Sequence, residues 1–169
     1  MAGDLFEASG AEFSTCRTWR YRLWRTWDAS RPPLVMIMLN PSKADEVRND
    51  PTVERCERRA RNSKVGFGGL LVLNIFAFVA TLPDDMLAAQ DPVGPGNDDA
   101  LRAAFSLGAP VYCAAWGADG NHRGRDLEVA ALARAAGVEL SCLSVTKAGQ
   151  PGHPLYLKSE APFLPWRAS

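Results

Sequence analysis

Two continuous apolar runs constrain the fold of this chain more than any other feature. The first is LVMIML at positions 34–39, and the second is LLVLNIFAF at positions 70–78. Neither run alternates between apolar and polar residues, which is typical of strands buried on both faces of a parallel sheet. The sequence therefore predicts a sheet whose central strands are covered by helices.

The rest of the chain alternates between helical and strand patterns. A helix is expected after Asp50 and Pro51, which form an N-cap and first-turn signal. Further helices are predicted at 83–89, at 97–107 with Asn97 as the cap, and at 125–136, and further strands at 111–116 and 139–145. We expect an α/β fold of three layers, α/β/α, with a central, mostly parallel four-stranded sheet and an N-terminal edge strand or hairpin within 16–27.

Length and composition exclude several classes of protein. The 169 residues are 47% apolar and carry no formal net charge, so we expect one globular domain over 1–169, not a disordered tail. Residues 1–15 are expected to be a flexible or loosely packed N-terminus, and 158–169 to form a proline-rich tail. No apolar stretch reaches the roughly 20 residues of a membrane span, and the N-terminus does not resemble a signal peptide.

The four cysteines are scattered without any paired spacing. Cys113 and Cys142 fall within predicted strands, which favours inert buried thiols over a metal or iron–sulfur site. We therefore expect no metal and no cofactor, and a reducing cytoplasm as the setting. The oligomeric state is not predicted.

The zero net charge conceals a basic first third. Residues 16–64 contain twelve basic and six acidic residues. A local excess of positive charge indicates an anionic ligand. The alternative is a solvated helix face, because Glu54 with Arg58 and Glu57 with Arg61 are spaced as i,i+4 pairs.

Polar residues interrupt or end the predicted strands. Asn40, Pro41 and Ser42 follow the first run, where Pro41 restricts the backbone and holds the Asn40 side chain in one direction. That amide can orient a water molecule, although an ordinary Asx turn is the alternative. Asn74 interrupts the second run and needs partners, supplied by the backbone or by a ligand. His153 is one of two histidines and is open to the same two interpretations.

The order of these motifs resembles a known family. The pieces are LNPS at 39–42, GGLLVLN at 68–74, VYCAAWG at 111–117 and GHPLYL at 152–157. The chain resembles an uncharacterised bacterial family, domain of unknown function 1643, over nearly all of 21–166. Lys43 and Gly152 depart from the residues common in that family, where a threonine and a basic residue are expected.

The same motif order also resembles the uracil-DNA glycosylase superfamily. That resemblance implies that Asn40 positions the hydrolytic water, that Asn74 reads the base edge and that His153 donates to the departing base. It also makes Leu155 or Leu157 the residue that wedges into a duplex. The first motif lacks the aspartate of the most active members, and the last motif reads HPLYL where HPSPL is expected.

The resulting expectation is a glycosylase-like hydrolase acting on a base in nucleic acid or in a nucleotide. Asn40 and His153 are the candidate catalytic residues. The candidate substrate-binding residues are Pro41, Ser42, Asn74, Phe76, Trp116, Leu155 and Tyr156, and the candidate nucleic-acid contacts are Lys43, Arg48 and Lys147. The alternatives are a non-catalytic nucleotide or nucleic-acid binding module and a small-molecule hydrolase unrelated to nucleic acids.

Overall fold

The centre of the molecule is one seven-stranded mixed sheet, curled into a half-barrel. The computed structural model describes residues 8–169, apart from the side chain of Tyr156. The strand order in the sheet is β1-β2-β4-β3-β5-β6-β7. The strands are β1 Ser9–Phe13, β2 Arg20–Thr26, β3 Pro33–Met38, β4 Gly69–Asn74, β5 Tyr112–Ala114, β6 Ser141–Cys142 and β7 Leu164–Pro165.

The expected three-layer fold around a four-stranded, mostly parallel sheet is wrong. Strands β3, β4, β5 and β6 do pair in parallel. However, β2 pairs antiparallel with both β1 and β4, and β7 pairs antiparallel with β6. Apolar periodicity identifies a strand but not its neighbours, so the sequence did not show that β2 would join the sheet beside β4.

Strand β1 lies within the segment 1–15, for which loose packing was expected. It forms a hairpin with β2, in the register Ser9 to Arg25 and Gly10 to Trp24. Residues 1–7, which belong to the same expectation, lie outside the described residues.

Four α-helices accompany the sheet in the part of the chain that the structure describes. They are α1 Pro51–Asn62, α2 Pro83–Ala88, α3 Asn97–Phe105 and α4 Arg125–Ala135, and 3-10 segments lie at Ala118–Gly124 and Pro154–Tyr156. Asp50 caps α1 as predicted, with its side chain accepting the Val53 N–H. Asn97 does not cap α3. Gly96 occupies that position, and the Asn97 side chain turns inward to β4.

Helices pack against both faces of the sheet. Helix α1 covers one face, where Val53, Cys56 and Ala60 join alternate residues of β3 and β4. Helices α3 and α4 cover the other face through Leu101, Phe105 and Val129. Burial of both faces is what the two apolar runs predicted for β3 and β4.

Candidate functional site

Asn40, Asn74 and His153 line one cleft of about 260 Å³. The cleft lies at the carboxyl ends of β3 and β4, which run in parallel with Met38 beside Asn74. Ligands of sheets with parallel strands commonly bind at this edge. The structure thus brings these three sequence-predicted residues together.

The amide of Asn40 has a fixed orientation. Its Nδ2 atom donates to the carbonyl oxygens of Pro41, at 3.0 Å, and Ala80, at 2.9 Å. Both neighbours are acceptors, so the nitrogen must face them. The side-chain oxygen Oδ1 is therefore the atom that Asn40 offers to the cleft, as an acceptor.

Asn74 is oriented by a buried arginine. Nη2 of Arg20 donates to Oδ1 of Asn74 at 3.3 Å, and Nη1 donates to the carbonyl of Ala44 at 2.9 Å. Because the guanidinium can only donate, it fixes the amide oxygen on its own side. Asn74 therefore presents its Nδ2 donor to the cleft. Burial lowers the pKa of Arg20 to about 10, so the guanidinium remains charged at neutral pH.

A second set of contacts holds the backbone of Asn74. Nδ2 of Asn97 donates to the carbonyls of Asn74, at 2.9 Å, and Ile75, at 3.1 Å. Nε of Arg125 also donates to the Ile75 carbonyl, at 2.8 Å. These bonds satisfy the carbonyls at the point where β4 ends, and they stiffen the segment that carries the Asn74 side chain.

His153 is a neutral imidazole with a defined tautomer. Its Nδ1 atom accepts the Leu155 N–H at 3.2 Å, so the proton of the neutral ring lies on Nε2. Burial lowers the pKa of His153, and the Asp50 carboxylate opposes part of that effect. The ring therefore acts at neutral pH as a hydrogen-bond donor through Nε2.

The backbone before His153 leaves no room for a side chain at Gly152. A Cβ at that position would lie 1.9 Å from Oγ of Ser144 and 3.3 Å from its Cβ. The Gly152 N–H also donates to the Ser144 carbonyl at 2.8 Å. Glycine at position 152 therefore allows the loop to pack closely against the residues after β6.

The other candidate substrate-binding residues divide into two groups. Ser42 and Leu155 line the cleft, and buried Pro41 supports it because its carbonyl accepts from Asn40. Phe76 and Trp116 are not among the residues that line the cleft. Phe76 is fully buried against the ring of His122, and Trp116 donates from Nε1 to Gln150 at 2.8 Å.

The end of the last motif is only partly described. Tyr156 belongs to the 3-10 turn Pro154–Tyr156, and its side chain lies outside the described part of the chain. Leu157, the alternative wedge residue, packs against the core on the side of α1. Leu155 lines the cleft wall.

Sequence reasoning missed four polar residues of the cleft, Arg20, Asp50, Thr52 and Thr81. Asp50 was recognised only as a helix cap. Its place could have been inferred, because the helix that follows a parallel strand begins at the carboxyl edge of the sheet. Arg20 gave no such signal, since the arginines at 17, 20, 22 and 25 look alike in the sequence.

Residues 20–155 match the model of a family described as protein of unknown function DUF1643. The chain belongs to this family. No curated protein and no solved structure matches the chain. The resemblance to uracil-DNA glycosylases is not confirmed by these comparisons. The match to DUF1643 includes the first three motifs and the start of the fourth, up to Leu155.

The basic first third provides little free positive charge. Arg20, Arg25 and Arg59 are buried and donate to backbone or amide oxygens. Five further arginines form ion pairs: Arg17 with Glu46, Arg22 with Glu12, Arg31 with Asp28, Arg58 with Glu54 and Arg61 with Glu57. Lys43, Arg48 and Lys147 are exposed and are not among the residues that line the cleft.

Two further observations concern membranes and metals. None of the helices in residues 8–169 is long and apolar enough to cross a membrane. Within the same residues, no cluster of three or more His, Cys, Asp or Glu side chains is arranged to hold a metal ion. Cys56, Cys113 and Cys142 are buried, and Cys16 is exposed.

Proposed function

We propose that the cleft binds a nucleobase and that the protein hydrolyses the N-glycosidic bond of a nucleoside or nucleotide, free or within nucleic acid. The observation that carries this proposal is the convergence of Asn40, Asn74 and His153 on one cleft. Its volume, about 260 Å³, is at the lower end of small-molecule sites and suits a group the size of a base.

The directions of the hydrogen bonds favour bases that carry oxo groups. Asn74 and His153 present N–H donors, because Arg20 holds the amide oxygen and Leu155 occupies Nδ1. Asn40 presents an acceptor. Uracil, hypoxanthine and xanthine carry carbonyl oxygens that complement the two donors, and the Asn40 acceptor is left for a water molecule. An exocyclic amino group would face a donor and leave both groups unsatisfied.

The same side chains suit the cleavage of a bond between sugar and base. Negative charge develops on the base as the bond breaks, and the Nε2–H of His153 can donate to the oxygen that receives it. Oδ1 of Asn40 can accept a hydrogen bond from water and orient it toward the sugar. Both groups are held in place before substrate binds, which lowers the cost of organising the transition state.

The charge distribution favours a small or single-stranded substrate. Most basic residues between positions 16 and 64 are buried or paired, so they add little attraction for a long phosphate backbone. Lys43, Arg48 and Lys147 remain the candidates for phosphate contact. Activity on an oligonucleotide would therefore depend only weakly on salt concentration.

Release of free base is the decisive assay. Purified protein is incubated with uridine, inosine, their 5′-monophosphates, and single-stranded and duplex oligonucleotides that carry one deoxyuridine or deoxyinosine. Chromatography then measures uracil or hypoxanthine. We expect release from at least one of these substrates and more than tenfold less from His153→Gln and Asn40→Ala. Absence of release from all of them would refute the hydrolytic function.

A non-catalytic binding module is the second candidate, because position 40 carries a neutral amide where the most active glycosylases have a carboxylate. Such a module would use the same donors and acceptor to hold a base without cleaving it. Thermal-shift measurements with uracil and hypoxanthine distinguish the two functions. A binder is stabilised by the ligand but releases no base from nucleosides.

A further inference from the structure

Asp50 brings a carboxylate into the cleft from the start of α1. It lines the same cleft as Asn40 and His153 and is half-buried there. It is also the one acidic side chain among the described residues that line this cleft. The first motif, LNPS at 39–42, supplies no carboxylate of its own.

Helix capping holds the Asp50 side chain in place. The residue has extended backbone angles, φ −93° and ψ 172°, and Oδ1 accepts the Val53 N–H at 2.8 Å. Capping uses only one of the two carboxylate oxygens. In the described part of the chain, Oδ2 receives no hydrogen bond and the carboxylate forms no ion pair. One oxygen is thus anchored, and the other can accept a proton or a hydrogen bond from a molecule in the cleft.

Arg20 and His153 share the cleft with Asp50. Arg20 is almost fully buried, and its Nε has no hydrogen-bond partner among the described residues. Asp50 raises the pKa of both Arg20 and His153, against the larger effect of burial on each. A carboxylate, a guanidinium and an imidazole therefore surround one small volume.

We propose that Asp50 is the general base that activates the hydrolytic water, an inference that rests on the proposed function. Oδ2 of Asp50 takes one proton from a water molecule that Oδ1 of Asn40 orients. The water oxygen bonds to the anomeric carbon of the sugar, and the bond from that carbon to the base nitrogen breaks. Its electron pair goes to the base, which His153 stabilises by donating from Nε2. The departing base then takes the proton from Asp50, so the reaction consumes one water in total.

The alternative role for Asp50 is helix capping alone, and two substitutions separate the roles. Asparagine caps a helix about as well as aspartate and has nearly the same shape, but it carries no charge. Serine also caps, and its smaller side chain leaves room for a formate ion. Asp45→Asn is the matched control. Asp45 accepts the N–H groups of Val47 and Arg48 in the neighbouring loop but is not among the residues that line the cleft.

The experiment measures kcat and KM for base release, together with the unfolding temperature, on whichever substrate of the panel gives the highest rate. We expect Asp50→Asn and Asp50→Ser to lower kcat by about 100-fold or more, the usual contribution of a general base. KM should change less than threefold and the unfolding temperature by only a few degrees. Added sodium formate should restore part of the activity of Asp50→Ser, and Asp45→Asn should match the wild type within twofold.

Three results would overturn the inference. Wild-type kcat in Asp50→Asn would remove Asp50 from the reaction and leave the proposed function intact. Loss of folding in both variants, or an increase in KM alone, would assign Asp50 to structure or to substrate binding. If the wild-type protein releases no base from any substrate of the panel, the proposed function fails and the inference fails with it.

Discussion

Arg20 and Asn74 are joined by a buried hydrogen bond between neighbouring strands, from Nη2 of the guanidinium to Oδ1 of the amide, at 3.3 Å. This contact determines which end of the Asn74 amide faces the cleft. It links the antiparallel part of the sheet, where Arg20 begins β2, to the parallel part, where Asn74 ends β4. The addition of β2 to the sheet is therefore part of how the candidate site is built.

Arg20→Lys should weaken both stability and base binding. Lysine keeps the charge, but its single amino group cannot replace the two guanidinium nitrogens that donate to the Ala44 carbonyl and the Asn74 amide. We expect the free energy of unfolding to fall by about 1–3 kcal/mol and hypoxanthine binding to weaken at least tenfold. Urea unfolding and calorimetric titration measure these effects. Arg22→Lys, on the same strand but partly exposed, is the control, and an equal loss in both variants would contradict the assignment.

Asn97→Ala should destabilise the end of β4. The substitution removes the Asn97 Nδ2 group, which donates to the carbonyls of both Asn74 and Ile75. We expect a loss of about 1–3 kcal/mol in the free energy of unfolding, measured in urea. The control is Asp99→Ala on the same helix, at a side chain that is 87% exposed. No difference between the two variants would show that Asn97 does not hold this segment.

Gly152→Ala should destabilise the protein because the new side chain would clash with Ser144. The added methyl group meets Oγ of Ser144, so the serine must rotate or the loop must move. We expect a loss of about 1–3 kcal/mol, typical of overpacking. The double variant Gly152→Ala, Ser144→Gly should recover most of it in a thermodynamic cycle. Additive losses would mean that the strain arises elsewhere.

Stability should fall as the pH drops below about 6.5, the ordinary pKa of histidine. Because burial lowers the pKa of His153, the unfolded chain binds this proton more readily than the folded one. The contribution to stability is therefore complete above the unfolded pKa and is lost as the pH falls through the folded pKa. Urea unfolding between pH 7.5 and 5 should show a smaller decrease for His153→Gln than for the wild type. Equal decreases would contradict the prediction.

Parts of this fold are visible in the sequence because they depend on local pattern. The uninterrupted apolar residues at 34–39 identify β3, and Asp50 with Pro51 marks the start of α1. The positions of Asn40 and Asn74 at strand ends follow from the same patterns. Their convergence on one cleft follows from the parallel pairing of β3 and β4, which the sequence also indicated.

Other parts depend on contacts between distant segments, which no local pattern reveals. The apolar run at 70–78 predicts a longer strand than β4, which ends at Asn74. At that point side chains replace strand partners, because Asn97 donates to the Asn74 carbonyl and Arg125 donates to the Ile75 carbonyl. Phe76 lies two residues after Asn74, and Trp116 belongs to the motif VYCAAWG, so the sequence assigned both to the site. Their burial against His122 and Trp166 depends on how the helices and the C-terminal segment pack.

The central claim is that Asn74 and His153 hold an oxo-nucleobase in the cleft beside Asn40, and an NMR titration tests it most directly. Hypoxanthine is added to ¹⁵N-labelled protein while the side-chain amide signals of asparagine and the imidazole signals of histidine are followed. We predict saturable shifts for Asn74 and His153 in the wild type, and no saturable shift of the His153 signal in Asn74→Ala. Absence of saturable shifts would contradict the claim. So would shifts confined to another cavity, of about 280 Å³, that Trp24 and Leu107 line.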